Sequence, residues 1–313
     1  MKDRKLVRAA ISLFIISGLL RMCATYVNGF ADSYATNIYP FFVNTMGRLV
    51  SIIPISVGEL LVYGIVVGGI VFILYSITKQ QFLHSLVVML FISSLLFMSY
   101  TLGCGINDQR TSFKEIIGLE VKPRDKEELV ALLEKIVLRL KEGEYETFNV
   151  EDIRSAMNTL GEEYTCLSGY YPYPKAVSVP YVLALQGVEG IYCPFTFEAN
   201  YDGDIPEESL PSTICHELVH LKGFMQEEEA SFIAYLACVE SNHKGLAYAG
   251  NMMAFRYVGN ALYDVDRESY REIWNQLKDE VIEDLRAYNQ YWEKYEGKVS
   301  ELQDQLNDVY LKA

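Results

Sequence analysis

The sequence predicts a mainly α chain (α+β) in two parts: about three transmembrane helices in residues 1–105, then a mostly helical domain with a small β element over residues 106–313. Three observations predict this. Two long uncharged apolar runs lie near the amino terminus, capped helical patterns fill most of the remainder, and one short segment, Phe195–Tyr201, alternates with the two-residue period of a strand.

The apolar runs come first. Leu60–Ile77 is eighteen residues without a charge and Phe82–Thr101 is twenty, with only His84 near one end, so each reaches the roughly 20 residues a spanning helix needs. The first apolar stretch, Ala9–Leu20, is twelve residues between Arg8 and Arg21. Arginine snorkels, so a signal-anchor helix over about residues 6–23 is expected, joined by spans at about 59–77 and 82–101. A cleaved signal peptide has the same basic-then-apolar shape, but no clear small-residue cleavage site follows Leu20. Lys2, Arg4, Lys5 and Arg8 precede the first span and Lys79 separates the second from the third, which puts both on the cytoplasmic side. The expectation is a multi-pass cell-membrane protein whose distal domain is extracytoplasmic. The loop with Tyr34, Tyr39, Phe41, Phe42 and Leu49–Ile55 is apolar enough to lie on the outer membrane surface or to pack against that domain.

Charge is divided unevenly. Residues 1–105 carry seven basic and three acidic side chains, leaving 20 basic and 38 acidic from totals of 27 and 41, so the distal part holds the whole acidic excess. Nucleic acid is therefore not an expected partner, since phosphate binding needs the opposite sign. The lipid membrane is.

In the distal part, Asp125 and Glu128 form a capping box before Leu129, Leu132, Ile136, Val137 and Leu140, and Asn149 starts a second helix through Leu160. Ser168–Pro174 reads as a loop. Trp274, Leu277, Val281, Leu285, Tyr288 and Trp292 lie on one stripe of a long helix, with a short terminal helix after Gly297. Cys166 and Cys193 are candidate disulfide partners if the domain is extracytoplasmic.

Chemistry concentrates in His216-Glu217-Leu218-Val219-His220. Pro206, Ser209, Pro211 and Ser212 supply helix-start signals and Gly223 a stop, while Ile214, Leu218 and Leu221 supply a buried stripe. On that helix His216 and His220, four apart, share a face and can ligate one tetrahedral ion; Glu217, about 100° round, can act as general base. An amphipathic surface helix would give the same five letters, but not the acids that follow. Catalytic zinc keeps three protein ligands, and Glu227 is the expected third, with Glu228 or Glu229 as alternatives, because six residues after His220 force a tight reversal. A helix starting there would put Ser231 behind a ligating histidine. Cys215 is expected to be a small buried residue and His243 a helix cap, while Arg256 and Tyr257 are candidate oxyanion donors. Phe195–Tyr201 could pair with a substrate backbone or be a plain hairpin, with Glu198 and Asn200 the side chains of interest.

The set His216, His220 and Glu227 resembles the gluzincins, whose third ligand commonly opens an ExxxD motif; here it reads Glu227-Glu228-Glu229-Ala230-Ser231, with Ser for Asp. The metzincin pattern matches Gly223 but would put its third ligand on Gln226, a poor zinc ligand. More widely, Gly190–Asn200, Leu210–Cys215 with the HELVH string, and Glu227–Phe232 resemble a family of uncharacterised bacterial membrane proteins with a PFTxEAN…HExxHxxGF…ExEANF pattern. This resemblance implies a metal site and a membrane anchor but no substrate; the likeness to gluzincins implies a zincin-like domain acting on a peptide or protein. The expected activity is that of a zinc metallopeptidase, with Zn2+ on His216, His220 and Glu227 and Glu217 as the catalytic base. The competing expectation is a membrane sensor or scaffold with a closed structural or regulatory metal site. An intramembrane protease is disfavoured, since Pro206–Gly223 is too polar and short to span.

Overall fold

A computed structural model describes residues 2–122, 125–143, 145–295 and 297. It is mainly α, with one small sheet. The amino-terminal part runs α1 (Lys2–Tyr26), α2 (Phe30–Asn37), α3 (Tyr39–Phe42), α4 (Arg48–Ser51), α5 (Val57–Lys79) and α6 (Phe82–Tyr100). Three helices are long and apolar enough to cross a membrane: α1, α5 and α6 with its extension to Gln109. α1 is longer than its twelve-residue apolar core because Arg21 lies within the helix rather than ending it. It packs along α6, where Phe14 meets Phe97 at 5.8 Å and Ser17 meets the Met98 sulfur at 3.5 Å. Beyond Tyr100 the helix widens into a π-turn, Thr101–Gly105, and then a 3-10 turn, Asn107–Gln109.

The remainder comprises α7 (Phe113–Ile116), α8 (Lys126–Glu142), α9 (Val150–Glu163), β1 (Lys175–Ala176), α10 (Tyr181–Ala184), β2 (Gly190–Cys193), β3 (Glu198–Tyr201), α11 (Leu210–His220), α12 (Glu227–Val239), α13 (Lys244–Val265), α14 (Arg267–Trp274) and α15 (Asp279–Glu293). Both expected capping boxes form, Asp125 with Glu128 on α8 and Asn149 with Asp152 on α9. Each satisfies amide groups that the first turn leaves without partners. His243 caps α13 by accepting from the Gly245 N–H. The expected long helix after Trp274 is instead two, α14 and α15, because Lys278 is extended (ψ 153°) and interrupts the stripe. The terminal helix expected after Gly297 lies outside the described residues.

Two apolar cores hold the domain. In one, Ile153, Met157 and Leu160 of α9 meet Ile214 and Leu218 of α11 and Ile233 and Ala237 of α12. In the other, α8 and α13 pack with α14 and α15 through Leu133, Ile136, Phe255, Ile273 and Val281. A third cluster crosses the expected boundary at residue 105: Ala24, Tyr34, Tyr39 and Val43 pack with Ile106, Tyr192, Phe197 and Leu221. Tyr39 and Tyr192 join hydroxyls at 2.8 Å, and the Phe42 ring stacks on Phe197 at 5.9 Å. The loop before α5 therefore packs on the domain.

The expected strand forms in part, but not as an edge. The sheet order is β1-β3-β2, with β1 parallel and β2 antiparallel to β3, so β3 is central and has no free edge for a substrate. Of the expected strand Phe195–Tyr201, Glu198–Tyr201 forms β3, while Phe195–Phe197 forms the turn into it, with Phe197 at φ +56°. Glu198 is structural as well. Its buried carboxylate accepts from Lys175 Nζ at 2.5 Å and from the Val57 and Gly58 N–H groups at 3.1 and 2.7 Å, and Lys175 also donates to Val50 O at 2.8 Å. Asn200 is buried and turned to backbone carbonyls. Cys166 and Cys193 are both free, with Cys193 lying where a Gly58 side chain would be.

Candidate metal centre

The helix α11 starts with Pro211 in its first turn, where the missing N–H costs nothing, and ends at His220. Gly223 then adopts φ +86°, and a Cβ there would also lie 3.1 Å from the Asn107 side chain. Two outside contacts hold this reversal: Arg110 donates to Lys222 O at 2.9 Å and stacks over the Phe224 ring at 3.9 Å. The chain thus turns within six residues and α12 begins on Glu227.

That turn brings three ligand atoms together. His216 Nε2 is 3.0 Å from His220 Nε2 and 3.0 Å from Glu227 Oε2, and His220 Nε2 is 3.6 Å from the same oxygen. Tetrahedral ligation at 2.0–2.1 Å separates ligand atoms by about 3.3 Å, so the spacing fits an ion of that kind. The far ring nitrogens support the fit. His220 Nδ1 is 2.8 Å from Phe224 O, which can only accept, so Nδ1 carries a proton and Nε2 is the atom that faces the cluster. Ser231 Oγ is 3.2 Å from His216 Nδ1 and 3.2 Å from Tyr257 OH, so it can accept from the imidazole while donating to the phenol. Two imidazole nitrogens and a carboxylate oxygen thus meet at one spot, a donor set and spacing that fit a cation. The bonds to His216 and His220 hold the Glu227 carboxyl well below the usual carboxylate range. For His220, burial favours the neutral ring, but its bond to Glu227 and the charge of Glu217 outweigh this and raise its pKa.

Of the three acids open in the sequence, Glu227 is the one that meets the histidines. Glu229 turns away to accept from the Phe113 N–H at 2.9 Å, at the start of α7, and Glu228 joins no ligand cluster among the described residues. Cys215 is fully buried and faces Cys238, with the sulfurs 3.9 Å apart. Replacing Ser231 with Ala should leave the fold intact and weaken metal affinity about 10–100-fold, measured by competition with a chromogenic chelator.

Glu217 lies beside the cluster with 5 % of its surface exposed. It accepts from the Tyr192 N–H, while Oε2 has no partner, and burial raises its carboxyl above the usual range. Gly190 makes this position available: a Cβ there would come within 2.7 Å of Glu217 Cγ and 2.8 Å of Oε1. Gly190→Ala must therefore displace the carboxylate, and is expected to lower any Glu217-dependent rate about 10–100-fold with metal content unchanged.

These groups line a cleft of about 790 Å³. One wall is the outer edge of β2; Asp202 N donates to Glu189 O on the β3 side, so the alternate residues Gly190 and Tyr192 turn their backbone groups towards the cleft. The opposite wall carries Arg256, Tyr257 and Tyr288, and Cys104 of the π-turn contributes from the membrane-helix side. The Arg256 guanidinium stacks on the Tyr288 ring at 4.0 Å, and the Tyr288 hydroxyl donates to Glu189. Arg256 and Tyr257, singled out in the sequence, are both at the cleft. Gly190, Tyr192, Glu189, Tyr288 and Cys104 join the cleft without having been candidates: Tyr288 lies on an apolar-looking helix stripe, and Glu189 and Cys104 carry no local signal.

Neither the curated proteins nor the solved structures include a match to this chain. A family match does cover nearly all of it, from within α2 through the His216, His220 and Glu227 cluster: over residues 34–313 the chain belongs to the family described as "Protein of unknown function (DUF3810)".

Proposed function

We propose that this protein is a membrane-anchored, zinc-dependent peptidase of gluzincin-like type whose cleft faces the outside of the cell. The observation that carries the proposal is the pairing of a three-ligand cluster, His216, His220 and Glu227, with the buried, half-partnered carboxylate of Glu217 at its side. A hydrolase needs both. When bound, the ion lowers the pKa of a water and polarises a substrate carbonyl. Glu217, whose buried carboxyl is a better proton acceptor than a solvated one, takes the proton from the attacking water and passes it to the leaving amine. Ser231 and Phe224 O fix the two imidazoles in the ligating tautomer. An extended peptide backbone would pair with the outward Gly190 groups and the Tyr192 carbonyl of β2, the Tyr192 N–H being held by Glu217, and Tyr257 and Arg256 line the same cleft as candidate donors to a developing oxyanion.

Orientation follows from the basic residues: Lys2, Arg4, Lys5 and Arg8 in the first turns of α1, and Lys79 at the end of α5, favour the cytoplasmic face. That leaves the cleft outside. Against a closed structural site, no fourth His, Cys, Asp or Glu joins the three ligands among the described residues. The test is digestion of a mixed-sequence peptide library by the zinc-loaded full-length protein in detergent. Cleavage that stops on chelation and returns with zinc supports the proposal; no cleavage by folded, zinc-loaded protein counts against it.

A further inference from the structure

The cleft is built on the outer ends of the apolar helices. α6 has 19 residues, a rise of about 28 Å, which matches the hydrocarbon core. Cys104, which lines the cleft, lies only four residues beyond its end, at most about 6 Å further along the axis. β2 is attached at the same level. A Cβ on Gly103 would come within 2.2 Å of Pro194 O, and one on Gly58 within 3.0 Å of Cys193 Sγ, so the segment leaving β2 touches α6 and α5 at their outer ends. Glu198 fixes this by accepting from Val57 and Gly58 at the first turn of α5.

From Cys193 back to Gly190, against Glu217, is three steps of strand, about 10 Å. The reacting position is therefore within roughly 20 Å of the ends of the apolar helices. The connection into α5 also presents an apolar fringe: Phe41, Leu49, Ile52 and Ile55 are exposed, Ile52 to 78 %. Side chains of that kind beside a spanning helix suit the boundary between headgroups and acyl chains.

We infer that the substrates are polypeptides anchored in the same membrane and cut in the extracytoplasmic stretch next to their own span. This rests on the peptidase reading and names its substrate class. An extended chain lying along β2 with one end at the bilayer surface reaches Glu217 within about ten residues of its span, at 3.3 Å per residue. Sharing a membrane also raises the effective concentration of such a segment over that of a free peptide.

The test embeds the full-length, zinc-loaded protein in nanodiscs with a single-span polyleucine reporter. The reporter carries a randomised twelve-residue segment outside the membrane, joined either directly or through a stiff (EAAAK)6 helix of about 45 Å. The same segment is supplied free at the same bulk concentration, and cut sites are read by mass spectrometry. The expected result is cleavage of the directly joined segment at least tenfold faster than of the free peptide or of the segment on the stiff spacer. Equal rates for all three overturn the inference, while loss of that cleavage in Glu217→Gln still supports the peptidase reading. No cleavage of any form removes both.

Discussion

Glu217→Gln is expected to lower kcat/KM for peptide cleavage by about 10²–10⁴-fold while the protein keeps its fold and its metal. The substitution preserves shape and an oxygen to accept the Tyr192 N–H, and removes only the ability to take a proton. Stability should not fall, because burial already disfavours the charged form of this carboxyl. The three ligands are untouched. The check is kcat/KM measured beside metal content and thermal midpoint; undiminished cleavage with bound metal would remove Glu217 from the reaction and leave the metal site standing.

The second large effect lies at Glu198. Its ion pair with Lys175 is almost fully buried, at 2 % and 4 % side-chain exposure, and the same carboxylate serves two amide groups of α5. Glu198→Ala leaves a buried ammonium and two amides without their partner, at an expected cost of about 3–5 kcal/mol. Replacing both partners, as Glu198→Leu with Lys175→Met, should recover part of that loss, since the uncompensated charge goes too. Thermal unfolding in detergent checks the order: wild type, then the double variant, then Glu198→Ala. Equal midpoints for wild type and Glu198→Ala would show that the pair contributes nothing to holding α5 on the sheet.

What was legible in the sequence was local. The HELVH helix, its proline start and its glycine stop follow from neighbours within a turn or two, as do the capping boxes at Asp125 and Asn149. The three membrane-length helices follow from uncharged runs. Choosing Glu227 over Glu229 was not possible locally, because Glu229 is drawn away by an amide of Phe113, 116 residues distant. At Phe195–Tyr201 the alternation holds as a strand only from Glu198 on, since Phe197 sits in a left-handed turn and spends its ring on Phe42. The edge that borders the cleft fell to Gly190–Cys193, too short and too mixed to signal a strand. Tyr288 and Trp292 do sit on one apolar-looking stripe, yet the Tyr288 hydroxyl reaches Glu189 at the cleft, a pairing 99 residues apart.

The claim on which the rest depends is that His216, His220 and Glu227 hold a catalytic zinc with one open position. X-ray absorption at the zinc edge, with metal quantified per chain, on full-length protein purified in detergent tests it most directly. The expected result is one zinc per chain, bound by two imidazoles, one carboxylate and one oxygen from solvent, and lost in His220→Ala. Folded protein that takes up no zinc, or a zinc bound by four protein side chains, would contradict the account.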